Sequence, residues 1–187
     1  YVPWPPGEGG KRFALDAVDA IVRAAFASLA PGGRIVVRDG VMPPEEPRVI
    51  ELLSDAWREG FKLFASRYEA RSIPFEPLEG GRIRLSLRDL YEVVTTLTWG
   101  PDAFPYEIRE QRAVLPRDAY VERLCAACEG VDPPYRAAPV PVPPDLASYL
   151  QPGYTTGIAG HVRIFDGAGK REVGLPDITG VWVLEKT

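Results

Sequence analysis

Aromatic and acidic side chains concentrate in one stretch interrupted by prolines, residues 98–111, which reads TWGPDAFPYEIREQ. The π face of an aromatic ring attracts cations, and a carboxylate beside a nucleophile can act as a general base. We therefore predict that Trp99 and Tyr106 contact a substrate and that Glu107 or Glu110 accepts a proton. The alternative, which is the more common outcome for such a stretch, is a helix–helix corner with a tryptophan in the core.

A charged pair and a glycine, Arg38, Asp39 and Gly40, follow directly after the apolar residues 35–37. In open α/β sheets, ligands bind beyond the carboxyl ends of the strands. This placement predicts that the three residues bind a cofactor or orient a substrate. A solvated strand end with a local ion pair explains the same residues equally well, so both interpretations stay open.

Histidine, tyrosine and cysteine supply the remaining candidates. His161, the only histidine, begins a predicted strand, and we expect it to be structural or exposed. Tyr149 and Tyr154 flank a turn and can line the mouth of a substrate site.

Cys125 and Cys128 have the CxxC spacing of redox motifs, but they lie inside a predicted helix rather than at its activating start. A zinc site needs about four ligands, so we predict two buried helical cysteines and no metal.

Four amphipathic helices are predicted from the hydrophobic periodicity. The first, residues 13–29, places Val18, Ile21 and Val22 on its apolar face and stops at the PGG of residues 31–33. The second covers residues 48–64. The third begins after its cap Ser86, with Asp89 in its first turn, and the fourth follows Pro116.

The strand predictions concern three segments of the chain. Ile35, Val36 and Val37 form a continuous β-branched run, which favours a strand covered on both faces, as in a parallel sheet. Residues 131–145 hold prolines that cannot donate ladder hydrogen bonds, so this segment is an edge strand or an extended connector. Residues 161–187 alternate apolar and polar side chains around the turn GAGK, which predicts an antiparallel hairpin and then a final strand.

Length and composition indicate one globular domain: the chain has 187 residues, 45% of them hydrophobic, and no repeat or linker divides it. A net charge of -4 gives no general attraction to nucleic acid. The sequence holds no apolar run of roughly 18 residues, the length of a membrane span, and no secretory leader. Two cysteines close in sequence do not make a disulfide framework, so we expect a cytoplasmic protein without membrane partners.

The order of these elements resembles the C-terminal half of a class I S-adenosylmethionine-dependent methyltransferase. In that family the helix before the fifth strand commonly ends in leucine-x-proline-glycine-glycine, which LAPGG at residues 29–33 matches. The family's final strands form an antiparallel hairpin, which residues 161–186 match in kind. The resemblance covers most of the chain and implies an α/β fold. It would be the C-terminal portion of a Rossmann-like methyltransferase sheet, with a helical insertion at about residues 45–130 and a terminal antiparallel β-hairpin.

The resemblance implies methyl transfer from S-adenosylmethionine to an acceptor, with this chain supplying the C-terminal half and the acceptor side. The glycine-rich cofactor loop of the family is missing, because GEGG at residues 7–10 does not follow a strand. We therefore expect the chain to be part of a longer methyltransferase domain. In that arrangement the cofactor contacts are Arg38, Asp39 and Gly40, and the substrate contacts are Tyr1, Trp4, Trp99, Tyr106 and Tyr154.

The acceptor and the partners are the least specified part of this interpretation. We favour a small-molecule acceptor because no basic stripe appears, although a protein or an RNA acceptor is compatible with the sequence. The alternative function is a non-catalytic binding or assembly module that completes its sheet with a partner chain. Both interpretations need a missing strand, because residues 35–37 alone would present a hydrophobic sheet edge.

Overall fold

The computed structural model describes residues 15–112, 115–129, 137–140, 156–175 and 179–186, with the backbone alone at 137–140. The main elements of these ranges are, in chain order, α1 (Asp16–Ala27), β1 (Arg34–Gly40), β2 (Pro47–Leu52), α2 (Asp55–Arg67), β3 (Phe75–Pro77), β4 (Arg82–Ser86), α3 (Leu87–Thr98), α4 (Phe104–Glu107), α5 (Arg117–Cys128), β5 (Ala137–Val140), β6 (Val162–Phe165) and β7 (Thr179–Lys186).

The chain divides into two compact units. The first comprises Tyr1–Arg38, Arg117–Pro143 and Val181–Thr187, and the second comprises Asp39–Pro116 and Pro144–Gly180. A sheet of strand order β1–β7–β5 belongs mainly to the first unit, and a sheet of order β3–β4–β2–β6 to the second. The fold is therefore mixed α/β with two antiparallel sheets. The single domain and the Rossmann-like sheet that we expected stay predictions.

In the first unit, the start of β1 lies beside the end of β7. The Gly32 N–H donates to the Lys186 carbonyl at 2.6 Å, and the Lys186 N–H donates to the Gly33 carbonyl at 2.9 Å. Gly32 adopts φ +74° in the predicted PGG turn, a left-handed conformation that suits glycine. On the other side of β7, β5 pairs antiparallel and ends the sheet, which confirms an edge strand for Ala137–Val140.

Two charged contacts hold the helices of the first unit. Arg123 of α5 pairs with Asp19 of α1 at 2.7 Å. Lys186 is buried, and its Nζ donates to the carbonyls of Ala27 and Leu29 at 3.0 and 2.7 Å. The last carbonyls of a helix lack partners within the helix and carry partial negative charge, so this lysine satisfies the end of α1.

Two predictions for the first unit are wrong in part. Val36 is 63% exposed, and the described part of the chain leaves that face of β1 uncovered, so the strand is not buried on both faces. Its β-branched run reflects strand propensity rather than burial. In α1, Val18 and Ile21 are exposed, whereas Val22 and Phe26 are buried. The apolar stripe of this helix is therefore wider than the face that is buried in the core.

The second unit is an antiparallel sheet covered by helices. β2 lies between β4 and β6, with Ile50 opposite Ile83 on one side and Ile164 on the other. α2 and α3 contribute large apolar side chains to the core against this sheet. The fully buried ones include Phe61, Phe64, Leu90, Val93 and Val94.

The expected helix at residues 48–64 is confirmed for its second half, because α2 covers Asp55–Arg67, but it is wrong for its first half, where Pro47–Leu52 form β2. The region expected as a helical insertion, residues 45–130, contains α2 to α5 but also β2, β3 and β4, so it is wrong as a purely helical segment. The apolar residues at the start of the segment fit a buried strand as well as a helix, and such short runs are ambiguous. Ser54 decides where the helix begins, since its side chain accepts the Trp57 N–H at 3.4 Å as the N-cap of α2.

The C-terminal prediction is confirmed for its turn and its last strand. Around GAGK the Asp166 N–H donates to the Arg171 carbonyl at 2.9 Å, and Phe165 forms an antiparallel bridge with Glu172. β7 is the expected final strand. However, β6 and β7 belong to different sheets, so residues 161–186 do not form one continuous hairpin.

Candidate functional site

α3 is buried around most of its circumference, and two of its buried residues are acids, Asp89 and Glu92. Glu92 is 0% exposed. Burying a carboxylate is costly unless hydrogen bonds or opposite charges compensate for the lost hydration. The groups around these two acids therefore define the candidate site. We call it the α3 polar cluster, and it consists of Tyr68, Arg71, Asp89, Glu92, Thr96, Glu107, Glu110 and Arg112.

One end of the cluster lies at the N-terminus of α3, where the structure confirms the predicted cap at Ser86. The Asp89 N–H donates to Oγ of Ser86 at 3.0 Å, and that hydroxyl donates to Oδ2 of Asp89 at 2.7 Å. Oδ1 of Asp89 pairs with Nη1 of Arg71. Negative charge in the first turn is favoured by the helix dipole, so Asp89 both supports α3 and holds Arg71.

Arg71 and Tyr68 have polar atoms that the described residues leave without hydrogen bonds. Nη1 of Arg71 also contacts the Ser72 carbonyl at 3.4 Å, but its Nε and Nη2 are buried and unpartnered there. The buried hydroxyl of Tyr68 lies near Glu92 but makes no hydrogen bond of normal geometry in the same ranges. Burial first, and then the Glu92 charge, raise the pKa of Tyr68 well above its usual value, so its hydroxyl stays protonated.

Glu92 occupies the centre of the cluster. The Arg112 backbone N–H donates to both of its carboxylate oxygens, at 3.1 Å each. Burial raises the pKa of Glu92 from 4.5 to about 7, and the Arg112 N–H and the charges of Arg112 and Arg71 offset only part of that effect. A carboxyl group with a pKa near neutrality can both donate and accept a proton at physiological pH.

The guanidinium of Arg112 holds the two acids predicted from the sequence. Its Nη2 pairs with Glu107 and, at 2.8 Å, with Oε2 of Glu110, while Nη1 lies 3.5 Å from Oγ1 of Thr96. Burial lowers the pKa of Arg112, but Glu107 and the other nearby acids outweigh that effect and raise it. Burial also raises the pKa of Glu110. The structure therefore places Glu107 and Glu110 together on one arginine, which the sequence did not single out.

The predicted aromatic residues lie on the surface. Trp99 is 58% exposed and Tyr106 is 63% exposed, whereas Phe104 is buried. The alternative of a core tryptophan is therefore wrong, because Phe104 provides the apolar contact of this corner. The substrate role of Trp99 and Tyr106 stays a prediction.

The strand end at Arg38, Asp39 and Gly40 is the last segment of β1. Arg38 and Asp39 are exposed, and the Gly40 N–H donates to Oδ1 of Asp39 at 2.7 Å. The cofactor role of these residues stays a prediction. The tyrosines and tryptophan proposed to line the substrate site elsewhere lie outside the described residues: Tyr1, Trp4, Tyr149 and Tyr154.

His161 and the cysteines have packing roles. The His161 ring stacks on Trp57, with ring centres 5.2 Å apart and planes 3° from parallel, so its predicted structural role is confirmed. Cys125 and Cys128 lie within α5 as free thiols, the first half-buried and the second buried. Burial raises the pKa of both, that of Cys128 to about 11, which leaves them protonated at neutral pH.

Five members of the cluster were not identified from the sequence: Tyr68, Arg71, Glu92, Thr96 and Arg112. The sequence did hold one signal for Glu92, which lies within the largely apolar run LYEVVTTL. Such a run indicates a helix that is buried on most sides, and an acid within it is then buried too. The two arginines carried no such signal, since their spacing from Asp89 and Glu92 follows from the packing of separate elements.

No protein-family model, no curated protein and no solved structure matches this chain. None of the helices within the described ranges combines the length and the apolar character needed to cross a membrane. Those ranges also hold no group of three or more His, Cys, Asp or Glu side chains that could bind a metal ion.

Proposed function

We propose that this chain forms the C-terminal, acceptor-binding part of a class I S-adenosylmethionine-dependent methyltransferase. The observation that carries the proposal is the helix–turn–strand unit in which α1 is followed by the LAPGG turn and then by β1. This is the order that the LxPGG phrase implies in the family. β7 lies antiparallel between β1 and β5, in keeping with the antiparallel strands that end the family's sheet.

The edge of the first sheet also supports this proposal. Within the described residues β1 has β7 as its neighbour on one side and ends the strand order on the other. An apolar edge strand invites pairing with a further strand. In a complete methyltransferase domain, the first half of the fold would supply that strand together with the glycine-rich cofactor loop.

The cofactor would contribute a methyl group that is already activated for attack, so catalysis by the protein consists largely of positioning. The end of β1 fits the polar part of such a cofactor, because Arg38 and Asp39 are exposed and charged. In this proposal Asp39 holds the cofactor by hydrogen bonds, and the chain's remaining task is to orient the acceptor and remove its proton.

Glu110 is the residue that we assign to proton removal. Its side chain is partly exposed, whereas Glu92 is enclosed, so an acceptor can reach Glu110 directly. Burial raises its pKa, which makes the carboxylate a better base, and Arg112 holds it in place at 2.8 Å. A small molecule that fits beside the exposed Trp99 and Tyr106 is the acceptor that we favour.

Calorimetric titration with S-adenosylmethionine tests this proposal, on this chain and on any longer protein that contains it. We expect Asp39→Ala to weaken binding at least tenfold, because a hydrogen bond to a charged group contributes about 1.5–3 kcal/mol. Its free energy of unfolding should change by less than about 0.5 kcal/mol, since Asp39 is exposed.

Asp55→Ala is the matched control, because Asp55 is an exposed aspartate in the first turn of α2. This variant should bind the cofactor as well as the parent does. Equal binding by Asp39→Ala and the parent would remove Asp39 from the site. Absence of binding by the chain and by any longer protein that contains it would refute methyl transfer.

A binding or assembly module is the second candidate, and the exposed Val36 on an edge strand favours it. Such a module would capture a strand of a partner chain at β1 without binding the cofactor. A pull-down that compares Val36→Lys with the parent chain distinguishes the two functions, because a lysine at this position should prevent a partner strand from pairing with β1. Loss of a partner without any cofactor binding by the parent would favour the module.

A further inference from the structure

Residues 100–112, which we call the α4 corner, supply the backbone N–H that holds the buried carboxylate of Glu92. Arg112, at the end of the corner, donates this N–H to both carboxylate oxygens at 3.1 Å. The corner leaves α3 at Gly100, whose φ of +80° lies in the left-handed region, and its only helix is the four-residue α4. It is therefore a short segment whose far end is tied to α3 through Glu92.

Other described contacts hold the α4 corner less extensively than the core holds α3. Phe104 is buried in the core, and Ile108 packs partly buried against it. The Glu69 N–H donates to the Ile108 carbonyl at 3.1 Å, and Arg109 pairs with Glu69 at 3.3 Å on the surface. Because α3 is buried around most of its circumference, the corner is the element that can separate at lower cost.

Groups on two other elements face Glu92. Tyr68 and Arg71 face it from the end of α2 and the residues just beyond, and Arg112 faces it from the α4 corner. Asp89, one turn earlier on α3, pairs with Arg71. Arg112 also holds two further acids, which are Glu107 and Glu110. The acids of this enclosed cluster therefore outnumber its arginines, and such an excess favours a retained proton on the most buried acid, Glu92.

We propose that the contact between Glu92 and Arg112 is a pH-sensitive switch: the α4 corner stays closed on α3 while the Glu92 carboxyl group is protonated and opens more readily once that group ionises. Opening lets water reach the carboxylate and restores the hydration that burial removes. The Arg112 N–H and the two arginine charges favour the ionised form in the closed state. Burial outweighs them, however, and raises the pKa of Glu92 from 4.5 to about 7.

The α4 corner also carries Glu110, so its opening would move the proposed base away from the rest of the cluster. That consequence rests on the proposed function. The opening itself does not, because it follows from the burial of Glu92 and from the contacts of the corner.

The pH dependence of the opening has a definite sign and an upper limit. If opening restores the ordinary pKa of Glu92, the open fraction rises about tenfold for each pH unit between 4.5 and about 7. The full rise is then roughly 300-fold, and the open fraction is constant at lower and higher pH. Incomplete hydration in the open state reduces this rise, so we expect at least a tenfold increase between pH 5 and pH 8.

Amide hydrogen exchange measures such an opening residue by residue. Dividing each rate by that of an unstructured peptide at the same pH gives the open fraction. The amides of Glu107 and Arg112 report on the α4 corner, since they donate to the Ala103 carbonyl and to Glu92. The amide of Ile50, in the central strand β2, reports on global unfolding.

The two corner amides should be less protected than that of Ile50, and low concentrations of urea should hardly change their exchange. Their protection should fall at least tenfold from pH 5 to pH 8 in the parent. Glu92→Gln cannot ionise, so its corner protection should change less than about twofold over the same range. Glu59→Gln, which removes an exposed acid of α2, is the matched control and should keep the dependence of the parent.

The parent alone also tests the proposal, should Glu92→Gln fail to fold. The carboxyl carbon resonance of Glu92 should titrate with the same midpoint as the protection of the corner amides. Two different midpoints would show that another group controls the opening, and would overturn the proposal.

The proposal would equally be overturned if corner protection in the parent did not depend on pH, if Glu92→Gln kept that dependence, or if Glu59→Gln lost it. Corner amides that match Ile50 in protection and in urea dependence would also overturn it, because the corner would then open only on global unfolding. None of these measurements contains S-adenosylmethionine, so their outcome is separate from that of the proposed methyl transfer.

Discussion

Replacing Glu92 by glutamine should change how the stability of the protein depends on pH. The pKa of Glu92 is about 7 in the folded protein, against 4.5 as its ordinary value. The folded state therefore holds this proton more tightly than the unfolded state, and the stability that follows is fully present below pH 4.5. It is lost as the pH rises towards and through 7, because the buried side chain must then ionise.

The magnitude follows from the two pKa values. At about 1.4 kcal/mol for each pKa unit, the difference between 4.5 and about 7 corresponds to roughly 3 kcal/mol of unfolding free energy. Glu92→Gln has nearly the same shape, cannot ionise, and keeps one oxygen to accept the Arg112 N–H. The parent should therefore lose roughly 3 kcal/mol relative to the variant between pH 4.5 and pH 8.

Urea unfolding followed by tryptophan fluorescence across this pH range measures the difference directly. Other acids titrate in both proteins and cancel in the comparison. Glu59→Gln is the matched control, because Glu59 is exposed on α2, where it pairs with Lys62 at 2.8 Å. A pair of exposed charges contributes little to stability, so the curve of this variant should run parallel to that of the parent. Parallel curves for Glu92→Gln and the parent would refute the argument.

Two further predictions test the elements that position the site. Ser86→Ala should lower the free energy of unfolding by about 1 kcal/mol, because the Asp89 N–H loses the hydroxyl that caps it. The control Ser66→Ala, on the exposed face of α2, should change the free energy of unfolding by less than about 0.5 kcal/mol in the same urea assay. Gly157→Ala should cost about 1–3 kcal/mol, because the new Cβ would lie 2.3 Å from Cγ2 of Thr98. Thr98→Ser removes that methyl group, so the double variant should recover most of the loss, and additive effects of the two changes would contradict this contact.

Local features of the fold could be predicted from the sequence. These features depend on residues that are neighbours along the chain. They are the helix cap at Ser86, the left-handed Gly32 in the PGG turn and the position of α5. The strand β2 could not be predicted as reliably, because its apolar residues fit both the helical and the strand periodicity. Its pairing with β4 and β6 resolves that ambiguity, and pairing is a property of the tertiary structure.

The candidate site was predictable only where its residues are close in sequence. Glu107 and Glu110 stood out because they share a short acidic and aromatic stretch. The buried acid Glu92 and its partners are brought together by the packing of α3 against the segments on both sides of it. Burial, which determines the pKa of Glu92, is likewise decided by tertiary packing rather than by the residues beside it in the chain.

The central claim is that this chain contributes to a site for S-adenosylmethionine. Ultraviolet cross-linking of methyl-labelled S-adenosylmethionine to this chain, and to any longer protein that contains it, followed by peptide mapping, tests it most directly. Our account predicts label in the peptide that contains Arg38, Asp39 and Gly40, and loss of that label when unlabelled S-adenosylhomocysteine is present in excess. A protein that takes up no label, or label that the competitor does not displace, would contradict it.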